Sequence, residues 1–120
     1  MAYISAMLAA VPDANKDAYF DTARKMLPLW KEAGAIGYKE CWGVDVPDGK
    51  LTSFPMAVKA EAGETVAIAY IEWTDKAVAD AAFKAMETDE RWQAAFADGM
   101  PFDGKRMIFG GFEVLIDGLD

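Results

Sequence analysis

Four strand-like and three helix-like segments in the order β-α-β, β-α-α-β predict an α+β domain of the split βαβ, ferredoxin-like kind, an antiparallel sheet with helices on one face. Two further observations support this class. A chain of 120 residues that is 53% apolar can build one core but has no room for two, and no linker interrupts residues 1–120, so one domain is expected. The strand segments also alternate in a way that makes both faces of the sheet apolar.

Tyr3–Val11 reads as the first strand, ended by Pro12, with Asp13 or Asn15 available to cap the helix that follows. In that helix Tyr19, Ala23, Met26, Leu27 and Trp30 fall on one apolar stripe, and Gly34 suits a left-handed helix end. Pro28 lies inside the helix and should kink it or free the carbonyl of Arg24. Ala35–Val44 is the second strand, Val46–Lys50 a turn, and Leu51–Lys59 an ambiguous stretch broken by Pro55. Thr65–Trp73 is the third strand, rich in Val, Ile, Tyr and Trp. Thr74 or Asp75 caps a helix whose inner face is Val78, Ala81, Ala82, Ala85 and Met86, and Thr88 or Asp89 starts another carrying Trp92, Ala95 and Phe96. After a loop at Gly99–Gly104, Lys105–Ile116 is the last strand, with Gly110-Gly111 suggesting a bulge.

Helices on one face of an antiparallel sheet usually leave the other face polar. Here Ile4, Ala6, Leu8 and Ala10 alternate with Tyr3, Ser5, Met7 and Ala9, and the third and fourth strands behave likewise. The uncovered face therefore calls for a partner, and a second copy packed face to face is the simplest one. The competing reading is that Leu51–Lys59 or the third helix folds across it. Tyr3, Ser5, Tyr70, Glu72 and Glu113 are grouped on the less aliphatic face, with Tyr38, Glu40 and Trp42 as a similar set in the second strand. If these line a cavity between two copies, burial raises the carboxyl pKa values and makes proton carriers of them. Alternatively each glutamate sits at a sheet edge, wet or paired with Lys39, Lys105 or Arg106.

The formal charge of −8 is concentrated in residues 61–120. It disfavours broad binding to nucleic acid or to anionic membranes. No apolar run is long enough to cross a bilayer, and the apolar opening has no preceding base, so it reads as a strand and not a secretion signal. The single cysteine, Cys41, fits a reducing compartment and a cytoplasmic location, and its acidic neighbour Glu40 argues for packing over thiolate chemistry. The absence of histidine removes Ser-His-Asp and Cys-His catalysis, imidazole haem ligation and nearly all catalytic zinc arrangements. No metal-ligand spacing, Walker loop or dinucleotide fingerprint is present, so neither a metal nor a cofactor is expected.

Two loops carry polar groups beside aromatics. In Met100–Met107, Asp103, Lys105 and Arg106 could hold a carboxylate or phosphate, or simply form a turn and pair with nearby acids. Thr52 and Ser53 flank Phe54 and Pro55, either as a site or as turn-closing hydroxyls. The strings VPDGK (46–50), TSFP (52–55), MPFDGKRM (100–107) and GGFE (110–113), in this order, resemble the YbaA-like family, a bacterial family of unknown function. The resemblance runs from about Tyr3 to Ile116 and implies a ferredoxin-like fold of the dimeric α/β-barrel type. It assigns no catalytic residue.

The expectation is thus a homodimer with a cavity at the sheet interface for a small polar molecule, with or without cofactor-free catalysis. Glu40, Glu113 and Tyr38 are the catalytic candidates, and Trp42, Ser53, Asp103, Lys105 and Arg106 the ligand-binding candidates. A non-catalytic binding module is the second reading. Nucleic-acid binding through Lys105, Arg106 and exposed aromatics is the third, and the acidic balance weighs against it.

Overall fold

The computed structural model describes residues 1–119. Its elements are β1 (Tyr3–Pro12), α1 (Lys16–Glu32), β2 (Gly37–Trp42), α2 (Phe54–Ala57), β3 (Glu64–Trp73), α3 (Lys76–Met86), α4 (Glu90–Ala95) and β4 (Ile108–Glu113). Short 3₁₀ turns at Asp13–Asn15 and Gly104–Arg106 precede α1 and β4. The strands form one four-stranded sheet in the order β2-β3-β1-β4, every neighbouring pair antiparallel. This is the ferredoxin-like arrangement. The sheet is open, with β2 and β4 as edges, so the barrel of the expectation is not closed within one chain.

Helix boundaries follow local chemistry. The Asp75 carboxylate accepts from the Val78 N–H at 2.9 Å and starts α3, and Asp89 does the same for α4 through the Arg91 N–H at 3.0 Å. The start of α1 differs from the expected cap: the 3₁₀ turn leads into it and no side chain bonds its first N–H groups. Asp13 instead accepts the Thr65 hydroxyl at 2.5 Å. Pro28 lies within α1 on its exposed side, beside exposed Leu27, so water can take the carbonyl it frees. On α3 the buried residues are Ala79 and Ala82, whereas Ala81 and Ala85 face solvent, so the apolar stripe is rotated from the one expected.

The pairing register decides which face each side chain takes. Tyr3, Ser5, Met7 and Ala9 on β1 share the helix side with Trp73, Ile71, Ala69 and Ala67 on β3. The core there is built from rings: Trp30 of α1 meets Trp73, Trp92 and Phe83 with centroids 5.9, 4.5 and 5.6 Å away. The grouping of polar strand residues is corrected by the same register. Tyr70 and Glu72 point to the opposite face from Tyr3, Ser5 and Glu113, because Tyr3 pairs with Trp73 and with Glu113.

The face away from α1, α3 and α4 is partly covered. Leu51–Lys59, ambiguous in sequence, becomes a turn and the short helix α2, which Ser53 opens by accepting the Met56 N–H at 3.1 Å. Val58, just beyond α2, is fully buried against Ala10 and Val66. The segment thus closes one end of the face. At the other end Ile108 and Phe112 are 41% and 56% exposed beside half-buried Ile4 and Ala6.

No bulge forms at Gly110-Gly111, since Ala6 and Ser5 pair with these two residues in unbroken register. The glycine is needed for a different reason: a Cβ on Gly111 would collide with the ring and hydroxyl of Tyr3. Gly111→Ala is expected to destabilise the fold by about 1–3 kcal/mol, as overpacked substitutions do. Chemical denaturation checks this, and Tyr3→Ala in the same chain should recover most of the loss.

Candidate functional site

Alternation on β2 sends Tyr38, Glu40 and Trp42 toward α1, opposite Ile71, Ala69 and Ala67 of β3. This corrects their expected position: they face the helices of their own chain and not the open side of the sheet. Ala67 is packed under Tyr19, but small Ala69 leaves α1 standing over a space that the side chains do not fill. The result is a cavity of about 330 Å³ between the sheet and the helices. Its floor is Ser5, Met7, Ala69 and Ile71, and its roof is the α1 stripe from Tyr19 through Ala23 and Met26 to Trp30. Phe83 and Met86 of α3 and Phe96 after α4 form one wall, and Met100, Phe102, Met107 and Phe109 line the side next to β4, where Met100 and Phe109 are exposed. Methionine, unbranched and polarisable, suits a wall that must adapt its shape.

One carboxylate enters this apolar surround. Glu40 accepts a hydrogen bond on each oxygen, from the Tyr19 hydroxyl and, at 2.5 Å, from the Tyr38 hydroxyl. Among the described residues no Lys or Arg forms an ion pair with it. Burial holds its carboxyl pKa above the ordinary glutamate value, and the two phenol hydrogen bonds offset that only in part. Burial, then the neighbouring carboxylate, drives Tyr19 far above the normal phenol range. Burial and the hydrogen bond to Glu40 do the same for Tyr38. Both tyrosines therefore stay protonated and serve as donors. Ser5, on the cavity floor, accepts the Trp73 indole N–H at 3.1 Å. The Trp30 indole N–H is buried without a partner among the described residues.

Of the sequence candidates, the structure brings Glu40 and Tyr38 together. Trp42 lies in the same row but packs on Phe20, with the Lys16 ammonium 5.2 Å from its ring centre, outside the cavity lining. Glu113 is exposed at the end of edge strand β4. Ser53 caps α2. Lys105 is exposed, and its backbone N–H is taken by the Asp103 carboxylate at 3.0 Å. Arg106 makes a fork with Glu64 at 2.7 and 2.8 Å, donates to the Lys59 carbonyl at 2.8 Å and reaches Asp103 at 3.1 Å. These bonds tie three segments: the turn before β4, the end of the α2 segment, and the start of β3. The fork holds the Glu64 carboxyl below its ordinary value. Asn15 adds a tether by donating to the Pro101 carbonyl at 2.9 Å. Tyr19 and the methionines escaped the sequence reading because a helical apolar stripe looks the same whether it fills a core or lines a hollow.

No group of three or more His, Cys, Asp or Glu side chains among the described residues could hold a metal ion, and no helix there is long and apolar enough to cross a membrane.

Two outcomes follow from these contacts. A raised folded pKa means that the native state binds the Glu40 proton more tightly than the unfolded chain does. Stability from this group is then fully present below the unfolded value of about 4.5 and is lost as pH rises through the higher folded value. Glu40→Gln, which keeps the shape without the charge, should gain on the parent protein over that pH range in urea titrations. Arg106→Lys should lower the thermal midpoint, since one ammonium cannot reproduce the fork or hold three segments at once.

The chain is 53% identical over 117 residues to the uncharacterised protein YbaA of Escherichia coli K12, covering 98% of this chain and 99% of that one. The Shigella flexneri YbaA matches to the same extent. Among solved structures, a dimeric ferredoxin-like protein from an uncultured marine organism superposes with a TM-score of 0.59 at 12% identity, over 99% of this chain and 98% of that chain. A dimeric ferredoxin-like protein of unknown function from Jannaschia sp. CCS1 gives 0.57 at 14%, over 93% and 99%. A candidate antibiotic biosynthesis monooxygenase from Nitrosomonas europaea gives 0.60 at 17%, over 97% and 92%. At these identities the structural matches establish the shared fold. The family model for proteins of unknown function DUF1428 matches residues 2–104, and the chain belongs to that family.

Proposed function

We propose that the protein is a homodimer, joined through the uncovered end of its sheet, and that each chain binds a small, largely apolar ring compound between its own sheet and helices. The cavity carries this reading. Its volume of about 330 Å³ lies in the range of small-molecule sites. An apolar cavity of about 150 Å³ already admits benzene, so one or two fused rings fit here. The apolar lining shifts the expected ligand from a polar molecule to an apolar one with a single polar end, met by Glu40. A carboxylate with a raised pKa is suited to accept a proton, which makes Glu40 the candidate base if the bound compound is transformed.

The dimer is supported by the apolar residues left exposed on one sheet face, Ile108 and Phe112 among them, and by the dimeric description of two structural neighbours. Leaving such side chains in water forgoes about 1.5–3 kcal/mol each. Two stacked sheets would then complete the two-chain barrel that a single open sheet cannot. The exposed lone cysteine, Cys41, accords with a reducing, cytoplasmic setting.

Thermal-shift titration with one- and two-ring aromatics tests the cavity. A ligand at one hundred times its Kd should add about 2.7 kcal/mol of stability. Ala69→Leu, which fills the floor, should abolish the shift while the variant still unfolds cooperatively. Sedimentation should give a dimer for the parent protein and a folded monomer for Phe112→Arg. Absence of any aromatic-induced shift would overturn the cavity reading, and a monomeric parent would overturn the dimer.

A further inference from the structure

Glu40 is the one charged side chain among those lining the cavity, and the way it is held determines which polar end a ligand can carry. Its two oxygens each accept a phenol hydrogen, from Tyr19 on α1 and Tyr38 on β2. A carboxylate offers about four acceptor positions, so roughly two remain open. The tyrosine hydrogens are already committed to Glu40, so neither is free to greet an anion.

The surrounding elements add no positive charge. The α3 residues, Phe96 and the 100–109 residues on the wall are uncharged aromatics, methionines and a proline, and those of β1 and β3 are uncharged as well. Lys16 of α1 sits over Trp42, two residues further along β2. Lys39 and Cys41 flank Glu40 in sequence and point to the opposite face. The site therefore has unused acceptors on Glu40 and no counter-ion, and the remaining donors on its lining, the hydroxyls of Ser5 and Thr22 and the enclosed indole N–H of Trp30, are neutral. An anionic group brought here meets repulsion and loses its hydration. A protonated amine must shed its water into a wall of methyls, thioethers and rings. A neutral hydroxyl gives up little hydration and gains a charge-assisted hydrogen bond.

We propose that the cavity selects neutral aromatic hydroxy compounds, with the ring against the apolar wall and the hydroxyl donating to a free lone pair of Glu40, and that it discriminates against the same rings ending in a carboxylate. This rests on the ring-binding reading above and adds the class of ligand. The hydroxyl remains protonated on binding.

The test is a calorimetric titration of the full chain with 2-naphthol, naphthalene, 2-naphthoate and 2-naphthylmethylamine. The expected result is that 2-naphthol binds about tenfold or more tightly than each of the others, the factor a hydrogen bond to a charged group supplies. Glu40→Gln should lose most of the preference over naphthalene and should gain affinity for 2-naphthoate, because the amide offers a donor. A second readout is 4-nitrophenol, whose anion is yellow. On binding near the pH at which the free compound is half ionised, the bound fraction should lose colour. The ligand class is overturned if naphthalene, the naphthoate or the amine binds as well as 2-naphthol, if Glu40→Gln leaves the preference intact, or if bound 4-nitrophenol turns more yellow. Should Glu40→Gln fail to fold, the four-compound ranking and the colour change on the parent protein decide alone. If none of the four compounds binds at all, the ring-binding reading itself fails, a result distinct from binding without preference.

Discussion

The size gradient along β3 governs the layer between sheet and helices. Trp73 and Ile71 at one end meet Trp30, Trp92 and Phe83 in a cluster of edge-on rings, and this cluster holds α1, α3 and α4 to the sheet. Toward the other end β3 presents only the methyl groups of Ala69 and Ala67. An α1 pinned by its tryptophan cannot descend to fill the space over Ala69, since backbone geometry fixes the helix as a rigid rod. Interiors are otherwise close-packed, so a persistent hollow is a feature the surrounding structure must hold open. The ring cluster thus holds α1 away from Ala69 and itself walls one end of the cavity.

The same rigidity explains how a half-buried carboxylate is held in an apolar surround. Glu40 stands on an edge strand, where its backbone is fixed by pairing with β3, and Tyr19 is fixed by the helix that the tryptophans anchor. Two phenol donors arrive on its two oxygens without a counter-ion. A buried polar group is costly unless it is bonded, and here each oxygen is bonded while acceptor capacity remains. Arg106, in contrast, spends its whole fork on Glu64, Asp103 and a carbonyl, which is structural use of the group best suited to bind an anion.

Much of the fold was legible in the sequence because it rests on local periodicity. The strands at Tyr3–Pro12, Gly37–Trp42 and Glu64–Trp73 and the helix with Tyr19, Ala23, Met26 and Trp30 on one face follow alternation and the 3.6-residue repeat. The last strand was overextended, because Lys105 and Arg106 form a 3₁₀ turn closed by the Asp103 carboxylate, a bond that propensity does not reveal. The glycine pair that looked like a bulge is a close approach to Tyr3, a non-local contact. The segment before β3 was unreadable since its one buried anchor, Val58, takes meaning only from Ala10 and Val66.

The amino-acid sequence by itself determined the order of elements, the apolar character of both sheet faces, and the absence of imidazole chemistry, all of which follow from residue identity and spacing along the chain. Tertiary structure decided which face each strand turns to the helices. Alternation divides a strand into two sets but does not say which set goes inward; register and the covering helices make that choice. That choice moved Glu40 from a supposed interface between copies into a cavity within one chain, beside Tyr19, 21 residues away in sequence, with Tyr38 bonded to it from the same face of β2.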